Sequence, residues 1–489
     1  MSETASAAPV HSQSLPIEEV RALLAGNPVL GLGDSAEGVW RMRPDVRRII
    51  LYRISHDTSE IERMIRIHPI TAVMLALLHG SRYRDAVERA AAAFEQPVDA
   101  IERRYEHELS HWMGHEAVEA KPDGAIVAPL DPASLAMPAQ SVDLERWWLY
   151  RPLSMHLKLT DACQRTCRYC SVELDRSRDN IATERWLRLV EEGIDNGVVT
   201  ISYLGGDPLL HRGLYELIRY AVGRGIQPFI STKCFVSEET AGKLVDAGLR
   251  RIQISIDSHV DPVADYLLDS RGAGKQLLAS VENCIRAGMR VRTNSVITPY
   301  NVLLFPELVA RLEQLGVYKM GTSACGYSLF ADEIDSLLLR EDEGTWLQDQ
   351  VQAMRERGVP VSFSFVGHRF RRENFEKRAW CTAGVWNAIV NSDGALSFCD
   401  DLPNREPFAV GNVFETPLLD LWESEAANRL RVPERQLYEG TVCSDCELFE
   451  RCSRHPRICF RDSYQAYGRV FGPPPQCPRA PEPPVRLGH

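Results

Sequence analysis

From residue 153 to about residue 328 the chain alternates six times between a short apolar run and an amphipathic stretch long enough for a helix. Strands are expected at Met155–Thr160, Val199–Leu204, Gln227–Thr232, Arg251–Ile256, Val291–Ile297 and Tyr318–Thr322. Helices are expected between them at Thr183–Asn196, Leu214–Val222, Glu238–Ala247, Gln276–Arg286 and Leu304–Leu315. Each helix returns the chain to the same end of the sheet, so repeated units of this kind build a parallel sheet. Sheets of this class bind their ligands at the C-terminal strand ends. The loops after the strands are therefore where chemistry is expected.

The loop after the first strand reads Cys163-Gln-Arg-Thr-Cys167-Arg-Tyr-Cys170, a C-x3-C-x2-C spacing. Three thiolates on one loop can hold three irons of a 4Fe–4S cube and leave the fourth iron open to a substrate or cofactor. The alternative is structural zinc, but zinc knuckles complete a tetrahedron with a second cysteine pair, and none lies close by. The run resembles the signature of the radical S-adenosylmethionine (SAM) enzymes, including Tyr169 just before the last cysteine. That resemblance implies a partial (β/α)6 barrel over residues 151–330, within an α/β fold class. It also implies that Cys163, Cys167 and Cys170 hold the catalytic cluster. The chemistry implied is one-electron cleavage of SAM to methionine and a 5′-deoxyadenosyl radical, which removes a hydrogen from an unactivated carbon.

The loops after the next strands fit that resemblance. After strand two comes Gly205-Gly206-Asp207-Pro208, in which two glycines permit close backbone approach to a ligand and the carboxylate can accept from an ammonium. It is similar to the family's GGEP motif, with Asp for the usual Glu. Alone, such a run is only a turn. After strand three, Ser231-Thr232-Lys233 stands where relatives carry a T-N-G-like turn, so Ser231 or Lys233 is a candidate for the SAM carboxylate or ribose. After strand four, Ser255-Ile256-Asp257-Ser258 resembles the family's S-I-D-G, and Asp257 is a candidate for the ribose hydroxyls. An Asp in that position is equally a helix cap.

The chain has 13 cysteines, and most of the others lie near its C-terminus. Cys381, Gly394 and Cys399 give C-x12-G-x4-C; Cys443, Cys446 and Cys452 give C-x2-C-x5-C; Cys459 and Cys477 follow. A zinc ribbon shares the C-x2-C pair. The pattern resembles the SPASM extension, which houses two auxiliary 4Fe–4S clusters, although six residues separate Cys452 from Cys459 where that pattern has three. By resemblance Cys381, Cys399 and Cys459 hold the first auxiliary cluster, and Cys443, Cys446, Cys452 and Cys477 the second. The first then has three cysteines: one iron is open, or a group such as Asp400 completes it. Cys284 falls in a helix and is expected in the core, whereas Cys234 and Cys325 fall near strand ends.

Residues 1–27 are expected to lack order and residues 28–113 to form a domain of strands followed by three helices. Gly38–Met42, Arg48–Ile54 and Ile61–Ile67 read as strands; Ile70–Leu78, Tyr83–Phe94 and Val98–Met113 read as helices. That order resembles the PqqD-type winged-helix element, which implies capture of a leader peptide as an added strand. Residues 114–150, with Pro122, Pro129, Pro132 and Pro138, read as a linker, 331–380 as a connecting segment, 381–478 as the SPASM-like domain and 479–489 as a tail. Trp147, Trp148 and Tyr150 read as packing.

No apolar run approaches the ~18 residues of a membrane span, and the N-terminus has no signal-peptide pattern, so a cytoplasmic protein is expected. A net charge of −11 speaks against nucleic acid as the main partner. Taken with the resemblances, these features imply a maturase of a ribosomally made precursor peptide. The cofactors implied are SAM and three 4Fe–4S clusters, with a flavodoxin or ferredoxin as electron donor. The expected product is an intrapeptide crosslink, carbon–carbon, ether or thioether. Epimerisation with Cys325 or Cys234 as hydrogen donor, residue oxidation of the sulfatase-maturase kind, and a non-catalytic iron–sulfur scaffold are the alternatives.

Overall fold

The computed structural model describes residues 14–35, 37–56, 59–125, 127–128, 130–175, 180–331, 334–364, 381–453 and 459–483. The first 13 residues of the expected disordered leader, Pro129, residues 365–380 of the connecting segment and the end of the tail from 484 lie outside them. The chain divides into two compact units, Met1–Tyr150 and Arg151–His489.

The first unit contains α1 (Ile17–Ala25), β1 (Val29–Leu32), β2 (Gly38–Pro44), β3 (Ile49–Ser55), β4 (Ile61–Ile67), α2 (Pro69–Leu78), β5 (Ser81–Arg82), α3 (Tyr83–Phe94), α4 (Val98–Gly114), β6 (Val118–Lys121) and α5 (Pro132–Leu135). Strands β2, β3 and β4 form an antiparallel sheet running from Gly38↔Ser55 to Pro44↔Ile49 and from Ile49↔Ile67 to Ile54↔Ile61. Ile49, Leu51 and Trp40 from this sheet join Tyr105, Leu109 and Trp112 of α4 in one core. Two sequence expectations are corrected. Helix α1 occupies part of the stretch expected to lack order; only Val20 and Leu24 are buried along it, one contact per turn, so its apolar pattern is faint. Strand β6 and helix α5 fall in the expected linker. There β6 pairs antiparallel with β1 from Val29↔Lys121 to Leu32↔Val118, and Leu135 joins the core. The aromatic run ending at Tyr150 is packing: the Arg146 guanidinium lies 4.5 Å from the Trp148 ring and 3.9 Å from that of Tyr150.

The second unit opens with β7 (Ser154–Lys158), then alternates α6 (Thr183–Asp195), β8 (Thr200–Leu204), α7 (Leu214–Gly223), β9 (Phe229–Thr232), α8 (Glu238–Asp246), β10 (Arg251–Ser255), α9 (Asp261–Leu268), α10 (Ala273–Arg286), β11 (Arg290–Ile297), α11 (Phe305–Gln314) and β12 (Lys319–Ala324). It continues through α12 (Glu341–Glu356), β13 (Val361–Ser364), β14 (Asn387–Val390), β15 (Leu396–Ser397), α13 (Leu418–Trp422), α14 (Glu425–Arg431), α15 (Phe449–Ser453) and α16 (Phe460–Tyr467). The nine-stranded sheet has the order β13-β12-β11-β10-β9-β8-β7-β14-β15, parallel throughout except for β15. Strands β7 to β12 are the six expected ones, each beside its sequence neighbour, and β7 and β12 do not pair, so the barrel is open.

Strand β14 adds to β7 from Asn387↔Ser154 to Val390↔Leu157, which ties the cysteine-rich segment to the strand that feeds the Cys163–Cys170 loop. Helix α9 and strand β13 were not foreseen. Cys284 is fully buried in the core, as expected.

Candidate active site

One cavity of about 950 Å³ opens at the C-terminal ends of the parallel strands. Lys158, Leu204, Thr232, Ser255 and Ala324 line it, each the last residue of its strand, together with Val296 from the end of β11. Its volume lies near the top of the ~300–1,000 Å³ range of small-molecule sites. Cys163, Cys167 and Cys170 face it, with Gly205 to Pro208, Ser231, Lys233 and Tyr169. From the cysteine-rich segment Asp400, Asp401, Arg461 and Gln465 face it as well.

The cysteine loop is pinned on both sides. The Thr166 and Arg168 amides donate to the carbonyls of Leu268 and Leu267 at the end of α9, at 3.3 and 3.0 Å. Arg165, buried, donates to the Lys233 carbonyl (3.2 Å), to Gln276 Oε1 (2.8 Å) and to the Ser270 hydroxyl. Ser328 donates to the Cys170 carbonyl at 2.7 Å. None of the three cysteines is in a disulfide. Burial pushes the Cys167 thiol up to about 12, Asp257 and the Cys170 and Cys163 thiols adding to the effect while Lys233 opposes it. Thiols on one loop, outside any disulfide and with a cation beside them, are stabilised when a metal takes the protons' place. The donor set therefore fits an iron–sulfur cluster.

The glycine turn, which lines the cavity, is also required by the backbone beside it. A Cβ on Gly205 would stand 2.3 Å from the Thr160 carbonyl oxygen, and one on Gly206 would stand 2.4 Å from that of Ala162. The Gly206 and Asp207 amides donate to those two carbonyls at 2.7 and 2.8 Å. Both glycines are thus required by the backbone leading into the cysteine loop, and Gly205, at φ 137°, also by its own conformation. The Asp207 carboxylate, expected to face an ammonium, is turned inward. It accepts from Leu209 N–H (3.1 Å), Lys233 N–H (2.9 Å), Cys234 N–H (3.0 Å) and the Thr232 hydroxyl (2.7 Å). Pro208 begins the short 3-10 turn that Asp207 caps.

Asp257 is no helix cap. It is 2 % exposed, accepts from Val296 N–H at 2.8 Å and from the Tyr169 hydroxyl, and lies 4.0 Å from the Lys233 ammonium, which in turn stands 4.9 Å from the Tyr169 ring centre. Burial opposes the charge on Lys233, but Asp257 and the three thiols more than offset this and hold its pKa above the ordinary lysine value. Burial, with Asp257, holds the Tyr169 phenol neutral. Ser231 Oγ lies 3.2 Å from Ser255 Oγ and accepts from Gln253 at 2.8 Å. Cys325 is on the cavity wall and burial pushes its thiol up to about 12. Cys234 is buried with its amide on Asp207 and is not on that wall.

The remaining cysteines form two groups. Burial, then the Cys477, Cys446 and Cys452 thiols, pushes the Cys443 thiol up to about 12. Arg479 lies 3.3 Å from Cys446 Sγ. Cys399 is held well above the ordinary thiol range by burial, then by Asp400, Asp401, Cys459 and Cys381. Sequence reasoning missed Arg165, Lys158, Asp401 and Arg461, none of which stands in a spacing that marks it.

Residues 157–316 match the Radical SAM superfamily, and residues 381–447 match SPASM, an iron–sulfur cluster-binding domain. The chain thus carries a radical SAM domain and, C-terminal to it, a SPASM domain. It is 25% identical over 324 residues to an AdoMet-dependent heme synthase of Oleidesulfovibrio alaskensis, covering 60% of this chain and 80% of that one. It is 26% identical over 315 residues to a PqqA peptide cyclase of Granulibacter bethesdensis, covering 61% and 80%. Its fold is similar to Streptococcus suis SuiB bound to S-adenosylmethionine, with a TM-score of 0.62 at 18% identity over 92% of this chain and all of that one. SuiB bound to its precursor peptide SuiA gives 0.60 at 17%, covering 91% and 98%.

Proposed function

We propose that this chain is a radical SAM maturase that modifies a ribosomally made precursor peptide, forming a crosslink within it. The observation that carries the reading is the cavity at the strand ends, where the C-x3-C-x2-C loop, the Gly205–Pro208 turn and the Asp400–Asp401 edge of the SPASM segment meet. Bound there, SAM and its cluster supply one-electron chemistry that removes a hydrogen atom from an unactivated carbon. The protein's own part is positional. Arg165 and Ser328 fix the loop, Asp207 ties the ends of β8 and β9 together, and Lys233, held by the buried Asp257, offers a cation to the polar groups of SAM.

A peptide substrate is supported by the PqqA peptide cyclases among the relatives and by the fold shared with a protein seen with its precursor peptide. The heme synthases, equally similar in sequence, leave the substrate to experiment. The antiparallel sheet and helices of the first unit follow the order of a leader-binding module, and residues 28–113 are proposed as that module. In the reaction the peptide loses one hydrogen atom, then a proton and an electron, as the new bond closes. The electron's acceptor is one of two auxiliary clusters, held by Cys381, Cys399 and Cys459 and by Cys443, Cys446, Cys452 and Cys477. A flavodoxin or ferredoxin supplies the starting electron, which places the protein in the cytoplasm. One observation favours epimerisation as a second reading: the neutral Cys325 thiol on the cavity wall can return a hydrogen atom.

Anaerobic co-expression with a short peptide encoded beside the gene tests this. The crosslinking reading expects loss of two hydrogens, abolished by Cys163→Ala. An unchanged mass with one deuterium gained in heavy water supports epimerisation instead. Unchanged mass and no deuterium, with a porphyrin substrate turned over, refutes both.

A further inference from the structure

The first auxiliary group has three cysteines for four irons. We propose that the Asp400 carboxylate is its fourth ligand, beside Cys381, Cys399 and Cys459; this rests on the reading of those cysteines as a cluster site. The Cys399 sulfur and one carboxylate oxygen each of Asp400 and Asp401 lie within 4.8 Å of one another, and among the described residues no other three such donors gather that tightly. The two carboxylates are not equivalent. Asp401 is ion-paired with Arg461, which neutralises it. The Asp400 carboxylate has no hydrogen bond or ion pair among the described residues, while its main-chain carbonyl is fixed by the buried Lys158 ammonium at 3.2 Å. A half-buried carboxylate set beside thiols, with the neighbouring cation already engaged, lacks a positive partner. An iron supplies it, and oxygen as well as sulfur donors serve iron.

The assignment bears on what this cluster does. With four protein ligands no iron is left to bind the peptide, so the cluster serves as an electron acceptor. A carboxylate donates less to iron than a thiolate does, and the reduced cluster is correspondingly easier to form. Asp400 also lines the cavity, so the electron enters the cluster across the wall that faces the substrate.

The test uses the full chain carrying Cys163→Ala, Cys167→Ala and Cys170→Ala, in which only auxiliary clusters remain. After reconstitution it should hold about eight irons; about four would remove the cluster itself, and the proposal with it. In that background, imidazole should leave the electron paramagnetic resonance spectrum of the reduced protein unchanged when Asp400 is present. It should shift one signal in Asp400→Ala. Asp400→Cys should keep the iron and move one midpoint to a more negative potential, whereas Asp401→Asn should remain insensitive to imidazole. An imidazole shift as large with Asp400 as with Ala, or an Asp400→Cys midpoint unchanged, overturns the assignment. Neither readout involves a peptide, so failure here leaves the maturase reading standing.

Discussion

Asp207 is a brace inside the protein, and its removal should loosen the end of β9 before any ligand is considered. Four donors converge on a carboxylate that is 2 % exposed. In Asp207→Ala the Leu209 amide can turn to water, and the Cys234 amide keeps the Thr232 hydroxyl at 2.9 Å. The Thr232 hydroxyl and the Lys233 amide lose a charged acceptor, each worth ~1.5–3 kcal/mol, so the local cost is about 3–6 kcal/mol before relaxation. Taking about 3 kcal/mol, amide exchange across residues 229–236 should accelerate at least ~100-fold, since ~1.4 kcal/mol is a factor of ten. Asp207→Asn separates charge from geometry: its oxygen can take the Oδ2 position, where the Thr232 hydroxyl and the Lys233 and Cys234 amides all donate, so it should fall between wild type and Ala. Hydrogen–deuterium exchange by mass spectrometry on the cluster-free chain reads this directly. Exchange in Asp207→Ala within about threefold of wild type would refute the bracing role.

Tyr169→Phe should cost ~1.5–3 kcal/mol in urea unfolding of the second unit, because it takes a hydroxyl from the buried Asp257 carboxylate; an unchanged midpoint would contradict that bond. Gly206→Ala forces a Cβ against the Ala162 carbonyl and should cost ~1–3 kcal/mol with loss of iron retention, and full iron loading would count against the close approach. His211 is lowered by burial from its ordinary 6.5, and its Nδ1 accepts from the Gly213 amide. The unfolded chain therefore takes up this proton first: the contribution to stability is complete above 6.5 and is lost as pH falls through the lower folded value. His211→Asn should flatten the urea midpoint between pH 7 and pH 5 relative to wild type, and parallel profiles would exclude His211 as the source.

The sheet was legible because short segments with apolar residues at alternate or adjacent positions recur between amphipathic helices, and that rhythm survives without tertiary information. Cysteine spacing marked three candidate ligand groups for the same reason: the cysteines of one group are mostly near in sequence. What stayed hidden depends on partners distant in the chain. Strand β14 has meaning only beside β7, and β6 only beside β1, so neither four-residue run stands out alone. Helix α1 buries two side chains. The glycines of the Gly205–Pro208 turn stood out for ligand approach; that the adjacent Thr160–Ala162 backbone also requires them leaves no local mark. Arg165 and Lys158 act through geometry, a guanidinium reaching Lys233, Ser270 and Gln276 and an ammonium reaching the Asp400 carbonyl, and no local pattern announces either.

The most direct measurement is 5′-deoxyadenosine released from SAM by the reconstituted, dithionite-reduced protein, beside the variant carrying alanine at Cys163, Cys167 and Cys170. The account predicts release by the wild type and none by the variant, with the auxiliary iron of the variant retained. Equal release from both would show that the cavity at the strand ends is not where SAM is cleaved.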